Sequence, residues 1–364
     1  MMSVRILGTD RFKGFGFMQQ TDNLNISRFK PLMSPDELKS RFPATDEVAD
    51  LIANSRIGVH NILTNKDRRR LVIAGPCSLH EREATLEYAA RLRQLQADLS
   101  DKILIVMRAY FEKPRTTLGW KGMLYDPYLD KSYNIEEGFV WSRGLLLSIA
   151  QIGLPAGTEF LDPIVPQYTA DLVTWAAIGA RTTESQIHRQ MASGLSMPVG
   201  FKNAMDGNLN VAVDAIKAAA SPHSFMGIDG DGKVVVAETR GNKCGHIVMR
   251  GGTQGPNYAS EHVAYASVLL QKAKVPTGII IDCSHGNSHK DHKRQRDVLF
   301  DVTEQINYGN RRIAGIMLES FLGEGSQPFN TPENLEYGVS LTDKCIGWEE
   351  TEELIRYFAD APKT

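Results

Sequence analysis

The stretch Ile279-Ile280-Ile281-Asp282-Cys283-Ser284-His285-Gly286-Asn287 decides how the chain reads. Three β-branched residues in a row predict a strand buried on both faces, as in a parallel sheet covered by helices. The run then turns polar, and Gly286-Asn287 ends it. A buried strand thus delivers Asp, Cys, Ser and His to one edge. Two readings of His285 stand at this point: a hydrogen-bonded turn residue, or a metal ligand or catalytic base at the carboxyl end of a parallel strand. The other strands decide between them.

Working outward, the same pattern recurs. Leu71–Ala74, Ile103–Met107, Ala156–Phe160, Trp175–Gly179, Pro198–Lys202, His246–Met249 and Ile313–Leu318 read as strands, and helical stretches alternate with them. Those stretches are expected at Glu81–Leu99, Leu145–Ile152, Ala170–Thr174, Ser185–Ser193, Val211–Ala220, Glu261–Lys272, Asp297–Ile306 and Thr351–Phe358, with a long polar loop over Glu112–Asn134. Eight strands alternating with helices over about 280 residues have the rhythm of a (β/α)₈ TIM barrel. A doubly wound open sheet is the alternative. It normally carries a Gly-rich dinucleotide turn after the first strand, and Gly75-Pro76-Cys77-Ser78 is not one.

Two pieces break the alternation. Residues 1–70 read as an N-terminal extension. It has an arm without periodicity at Arg11–Phe17, a helix capped by Ser34 with Pro35 in its first turn, and a second helix from Thr45. Residues 71–364 are then the barrel, with an inserted β-hairpin at about 224–240 turning through Asp229-Gly230-Asp231-Gly232. Lys233 and Arg240 stand at later ligand positions of what would be a calcium loop, so that reading is rejected.

Hydrophobic residues make up 42% of the 364 and charged residues 23%, ordinary for a soluble globular protein. A net charge of -2 points to neither a nucleic-acid nor a membrane partner. The basic runs Lys66–Arg70 and His289–Arg296 read as solvated faces. No signal peptide or membrane span is expected, and Cys77, Cys244, Cys283 and Cys345 lack CxxC spacing, so the thiols read as reduced and the chain as cytoplasmic.

The predicted strand ends carry the chemistry. Arg108, Lys113, Arg115, Arg181, Lys202 and Arg250 are six cations at one barrel mouth. Such crowding is costly unless anions bind there, and several anionic groups are implied, such as two phosphates and a carboxylate. Cys77, His285 and Glu319, with Asp343 just beyond the barrel, make a second set of sulfur, imidazole and carboxylates suited to one divalent metal ion. That set does not choose between Mn, Fe, Co and Zn.

Gly75-Pro76-Cys77-Ser78, Lys113-Pro114-Arg115-Thr116-Thr117, Gly179-Ala180-Arg181-Thr182-Thr183-Glu184-Ser185, Gly200-Phe201-Lys202-Asn203, Asp282–Asn287 and Met317-Leu318-Glu319-Ser320 together resemble 3-deoxy-D-arabino-heptulosonate 7-phosphate (DAHP) synthases of type I, the feedback-regulated branch. The resemblance covers nearly the whole chain. It implies condensation of phosphoenolpyruvate (PEP) with erythrose 4-phosphate, the first step of the shikimate pathway. It implies Cys77, His285, Glu319 and Asp343 as metal ligands. Arg181, Arg250 and the backbone around Ala180 match a PEP phosphate site. Arg108, Lys113 and Lys202 match the PEP carboxylate side, and Arg115 and Thr116 the erythrose phosphate site. Lys113 is the expected proton donor to the new alkoxide, with a metal-bound water as rival. Glu159 is expected to orient water or an Arg, with a structural ion pair as the alternative. Cys244, Cys283 and Cys345 read as packing.

The resemblance also implies that the N-terminal segment and hairpin build an aromatic amino-acid effector site and a subunit interface of a homodimer or homotetramer. Pro163, Gln167, Met191, Leu195, Ser196, Phe225 and Gly227 match that pocket, and Pro163 with Gly227 resemble tyrosine-sensitive members. The chain ends soon after the barrel, so no fused chorismate mutase domain is expected. Two other functions compete: a sister PEP-condensing synthase using arabinose 5-phosphate, which the Lys113–Thr117 motif opposes, and a catalytically silent aromatic amino-acid sensor.

Overall fold

In the computed structural model, residues 20–329 and 332–361 are described; the expected arm at Arg11–Phe17 lies outside them. Residues 33–361 fall in one compact unit, which starts just before α1. In chain order the elements are α1 (Pro35–Arg41), α2 (Asp46–Leu63), β1 (Arg70–Gly75), α3 (Arg82–Asp98), β2 (Ile103–Arg108), α4 (Ile135–Gln151), β3 (Ala156–Glu159), α5 (Val165–Thr169), β4 (Trp175–Ile178), α6 (Gln186–Gly194), β5 (Val199–Lys202), α7 (Asn210–Ala219), β6 (Ser224–Ile228), β7 (Val234–Glu238), β8 (Gly245–Met249), α8 (Ser260–Lys272), β9 (Ile279–Asp282), α9 (Gln295–Asn307), β10 (Ile313–Glu319) and α10 (Trp348–Ala359).

Eight parallel strands close into a barrel in the order β1-β10-β9-β8-β5-β4-β3-β2. β1 pairs with both β2 and β10, so the sheet has no open edge, and the doubly wound alternative is excluded. Every barrel strand is buried along its length. That is why β1, β2, β9 and β10 read as continuous apolar runs rather than alternations, whereas β3, Ala-Gly-Thr-Glu, reads weakly. Leu71, Ile73, Val106, Val248, Ile280 and Met317 fill the interior together with Trp175. Gly200 is required beside this indole: a Cβ there would stand 2.6 Å from Trp175 and 3.0 Å from His246. The indole N–H donates to His246 Nε2 at 3.0 Å, so two large side chains share the space one glycine leaves.

Two connections differ from expectation. α4 begins at Ile135, ten residues before the expected Leu145, because Asn134 caps it by accepting from the Glu137 amide. Its first turn carries Glu136 and Glu137, so its polar start reads as loop. α5 was not expected; Pro166 sits in its first turn, and only a 3₁₀ turn at Ala170–Leu172 occupies the helix expected over Ala170–Thr174. Buried Arg143 on α4 binds the segment together, bidentate to Asp171 at 2.7 and 2.8 Å and donating to the carbonyls of Phe42 and Tyr168.

The hairpin β6–β7 stands outside the barrel in antiparallel register from Ser224↔Glu238 to Ile228↔Val234. Asp229 accepts from the Lys233 amide across its turn, and Gly232 takes φ +79°. The Gly230 carbonyl accepts from the Asp36 amide at 2.9 Å, which ties the hairpin tip to the first turn of α1. Both basic runs engage the protein: Arg69 pairs with Asp67, and Arg296 with Glu350 and Glu353. Among the described residues no helix is long and apolar enough to cross a membrane.

Candidate active site

Barrel closure makes β1, β10 and β9 neighbours, with Gly75 opposite Glu319 and Met317 opposite Asp282. The carboxyl ends of these strands therefore meet. Asp343 joins them because the following loop folds back: the Ile346 amide donates to the Glu319 carbonyl at 3.0 Å and the Phe321 amide to the Ile346 carbonyl at 3.0 Å. Donor atoms of Cys77, Glu319 and Asp343 all lie within 4.8 Å of one another. His285 stands at the edge of this group, its Nε2 3.5 Å from Glu319 Oε1.

The electrostatics call for a cation. Burial, then the Glu319 and Asp343 carboxylates, push the Cys77 thiol up to about 12, against the pull of Lys113. The Lys113 ammonium holds Asp343 well below the usual carboxylate range. Its Nζ lies 2.6 Å from Cys77 Sγ and 3.2 Å from Asp343 Oδ2, so an ammonium is the positive charge these donors face. One soft sulfur, two carboxylates and a neighbouring imidazole fit a divalent transition metal, whose charge would keep the thiol ionised.

The cations divide by how far their partners already satisfy them. Arg108 is buried and held by its Nε and Nη2: Nε donates to the Pro76 carbonyl at 3.0 Å, and Nη2 to the Cys77 carbonyl at 3.1 Å and to Glu319 Oε1 at 3.0 Å, while Nη1 meets only Met317 Sδ at 3.4 Å. Its guanidinium also lies 3.6 Å from the centre of the Tyr110 ring. Its first effect is to orient Glu319 and the Cys77 backbone. Arg181, Arg250, Lys113 and Arg115 instead line the mouth, a cavity of about 550 Å³. Arg181 Nε donates to Thr116 Oγ1 at 3.2 Å and Arg115 Nε to the Trp120 carbonyl at 2.8 Å, and each keeps further N–H groups. Burial lowers the pKa of Arg250, and the like charge of Arg181 adds to this against neighbouring carboxylates. A bound dianion would relieve that repulsion. Lys202 is buried and lies 3.2 Å from Asp282.

Ala180 is half-buried in the loop after β4, which Thr183 braces by donating to the Lys202 carbonyl at 2.8 Å. Glu159 is buried at the end of β3, and Gly179 leaves the room its carboxylate occupies. Among the described residues it makes no ion pair within 4.0 Å, though its charge acts on Arg250.

Some functional neighbours went unread in the sequence. Asn203 accepts from the Arg250 amide at 2.8 Å, Asn257 from the Gly251 amide at 2.8 Å, and Asn287 from the Asn257 amide at 2.8 Å. This asparagine network holds the backbone that aims Arg250. The available signal was the position of Asn203, directly after Lys202 at the end of β5, and of Asn287, two residues after His285 in the turn beyond β9. Asp282 is another: fully buried, it faces Lys202 and His285 Nδ1 at 3.2 and 3.0 Å. Burial works against its charge, but His285 and Lys202 outweigh it and hold the carboxyl well below its ordinary range.

A second cavity, about 390 Å³, lies between α5, α6 and the hairpin. Pro163, Gln167, Met191, Leu195, Phe225 and Gly227 line it; Ser196 is exposed and outside the lining. Its lining mixes apolar and polar groups, with Arg240 and Glu238 as its charges.

With this geometry in place, comparison with known proteins is specific. The model of the DAHP synthetase I family matches residues 42–356. The Phe-sensitive phospho-2-dehydro-3-deoxyheptonate aldolase of Escherichia coli (strain K12) is 51% identical over 344 residues, 94% of this chain and 98% of that protein. The Trp-sensitive protein of the same strain is 49% identical over 347 residues, covering 95% and 99%. The Tyr-sensitive one is 49% identical over 336, covering 92% and 94%. A solved phospho-2-dehydro-3-deoxyheptonate aldolase from Francisella tularensis SCHU S4 superposes with a TM-score of 0.91 at 47% identity, covering 93% of this chain and 98% of that one. Near-equal likeness to all three E. coli proteins selects no effector, but the match in sequence and fold spans the barrel and its strand-end residues: the chain belongs to the DAHP synthetase I family.

Proposed function

We propose that this chain condenses PEP with erythrose 4-phosphate and water to give DAHP and phosphate, entering aromatic amino-acid biosynthesis, and that it does so with one divalent metal ion, Mn, Fe, Co or Zn. One observation carries this reading. A single barrel mouth holds a sulfur–carboxylate–imidazole donor set beside a cluster of cations with N–H groups to spare. One set suits a metal, the other two phosphorylated substrates.

The residues divide the work as follows. Arg181 and Arg250, with the Ala180 backbone, take the PEP phosphate, and Lys202 its carboxylate. Arg115 and Thr116 take the phosphate of erythrose 4-phosphate. Arg108, held by Glu319 and two carbonyls through Nε and Nη2, keeps the donor set in place and offers Nη1 on the PEP carboxylate side. Cys77, Glu319, Asp343 and His285 hold the ion, which when bound supplies Lewis-acid polarisation of the aldehyde oxygen. The PEP methylene carbon forms the new bond to the aldehyde carbon. Lys113, already between Cys77 and Asp343, gives its proton to the oxygen that becomes the alkoxide. Glu159 orients the water that adds at the former PEP C2. Phosphate leaves with its bridging oxygen, and the paired arginines compensate its charge.

The cavity at the hairpin is the effector site in this reading, with tyrosine as effector. Gly227 leaves the space a larger hydroxylated ring needs. Residues 1–70 and the hairpin serve regulation and assembly into a homodimer or homotetramer, in the cytoplasm. The test is DAHP formation from PEP with erythrose 4-phosphate against arabinose 5-phosphate, titrated with each aromatic amino acid. Turnover with erythrose 4-phosphate, inhibited best by tyrosine, is expected. Preference for arabinose 5-phosphate, or no turnover with metal present, overturns the activity; stronger inhibition by phenylalanine or tryptophan overturns the effector alone.

A further inference from the structure

The turn that delivers His285 also contains a hydrogen-bond chain that the reaction as outlined leaves unused. Asp282 Oδ1 accepts from the Ser284 amide at 3.0 Å and from the Ser284 hydroxyl at 2.7 Å. Ser284 Oγ lies 2.6 Å from His285 Nδ1. The other carboxylate oxygen, Oδ2, lies 3.0 Å from the same Nδ1 and 3.2 Å from Lys202 Nζ, close by distance though neither donor is aligned as a hydrogen bond. Asp282 and Ser284 are both buried.

Proton counting orders this chain. A carboxylate beside an ammonium carries no proton to give. A hydroxyl has one, and 2.7 Å from the carboxylate it must lie on the Ser–Asp line, since two bare acceptors at that distance repel. Ser284 Oγ is then an acceptor toward His285, and Nδ1, 2.6 Å away, must carry the hydrogen. In the neutral ring that leaves the lone pair on Nε2, the nitrogen that faces Glu319. The backbone reinforces the orientation. His285 has φ +57°, left-handed for a residue that is not glycine. The turn is anchored by Gly286 N donating to the Arg250 carbonyl and Asn287 Nδ2 to the Asp282 carbonyl.

We propose that Asp282 and Ser284 are positioning residues that share one carboxylate between two subsites: Oδ1, through the Ser284 hydroxyl, fixes His285 with its Nε2 lone pair toward the metal donors, and Oδ2 tethers Lys202 on the PEP side. The proposal rests on the metal-centre and PEP reading above. It makes the two residues separable: Ser284 serves only the histidine, whereas Asp282 serves the histidine and the lysine. Outer partners of metal-binding histidines typically contribute 10–100-fold to metal affinity.

The test compares full-length wild type, Ser284→Ala, Ser284→Thr and Asp282→Asn. Mn²⁺ affinity is read by the electron paramagnetic resonance of free Mn²⁺. PEP affinity is read by calorimetry at saturating Mn²⁺ without the aldehyde. Ser284→Ala is expected to bind Mn²⁺ about 10–100-fold more weakly with PEP affinity retained. Ser284→Thr, which keeps the hydroxyl, restores Mn²⁺ binding, and Asp282→Asn weakens both ligands. Wild-type Mn²⁺ affinity in Ser284→Ala overturns the relay while leaving the metal centre standing, and so does equal loss of both ligands in Ser284→Ala. A wild-type protein that takes up no Mn²⁺ overturns the metal centre and the relay together.

Discussion

The mouth of the barrel and the cavity at the hairpin are of comparable size, yet they are built on opposite principles. The mouth is lined by charge: Lys113, Arg115, Arg181, Arg250, His285 and Asp343. Most of its functional side chains issue from strand ends or the turns just after them, and hydrogen bonds to neighbouring strands hold them. The hairpin cavity sets Met191, Leu195 and Phe225 beside Gln167, Glu238 and Arg240, and it is assembled from a short helix, the end of α6 and a two-stranded ribbon outside the barrel. The difference teaches where each kind of specificity resides. Charges on a closed barrel cannot move apart, so the mouth is preorganised for anions and a metal. Packing on a hairpin can be altered by a single atom, so the cavity can change its ligand without disturbing the mouth.

The largest effect that would sharpen this contrast is at Lys113. Lys113→Met should lower kcat by about 10²–10⁴-fold, the range for a lost proton donor, measured by initial rates at saturating substrates. Retained kcat would move proton donation to another group. Next is Arg250→Met, which should raise the KM for PEP by about 10–100-fold, the worth of one charged hydrogen bond of roughly 1.5–3 kcal/mol. A KM that does not move would remove Arg250 from the phosphate site.

In the hairpin cavity, Gly227→Ser should weaken tyrosine inhibition by about tenfold, the order of one methylene-sized steric change in a pocket. The new Cβ meets Ala237 at 3.6 Å and Phe225 at 3.7 Å, so the side chain fits and acts through the lost space. Inhibition curves for the three aromatic amino acids check this, and an unaltered tyrosine curve breaks the assignment.

The smallest effect on turnover concerns the barrel interior. Burial lowers the His246 pKa from 6.5 to about 4. The unfolded chain therefore binds this proton first, and stability present above pH 6.5 is lost as pH falls through about 4. Melting temperature should drop across that window, and His246→Gln should flatten part of the drop. Parallel curves would show that His246 does not carry it.

The same contrast explains what was legible. Barrel strands are covered on both faces, so Ile279–Asp282 and Ile313–Glu319 announce themselves as apolar runs, and the first polar residue after each marks the mouth. The hairpin was equally plain because its Gly-rich turn falls between the apolar segment Phe225–Ile228 and the β-branched run Val234–Val236. The start of α4 was not, since a capped, acidic first turn has the composition of a loop. α5 was missed for a related reason: five residues show no helical period. Asp343 lies 24 residues past Glu319 and meets Cys77 only because the segment around Ile346 folds back onto the end of β10. Asp282 looked like a strand terminus; only the register across β10 and the position of Lys202 on β5 show that it faces both His285 and Lys202.

The central claim is that one mouth joins a metal centre to two phosphate sites for PEP condensation. Its most direct measurement is DAHP formation from PEP and erythrose 4-phosphate by the purified chain after chelation and again after Mn²⁺ is restored. The account predicts turnover lost on chelation and recovered with the metal. Turnover indifferent to chelation, or no DAHP with Mn²⁺ and both substrates present, would contradict it.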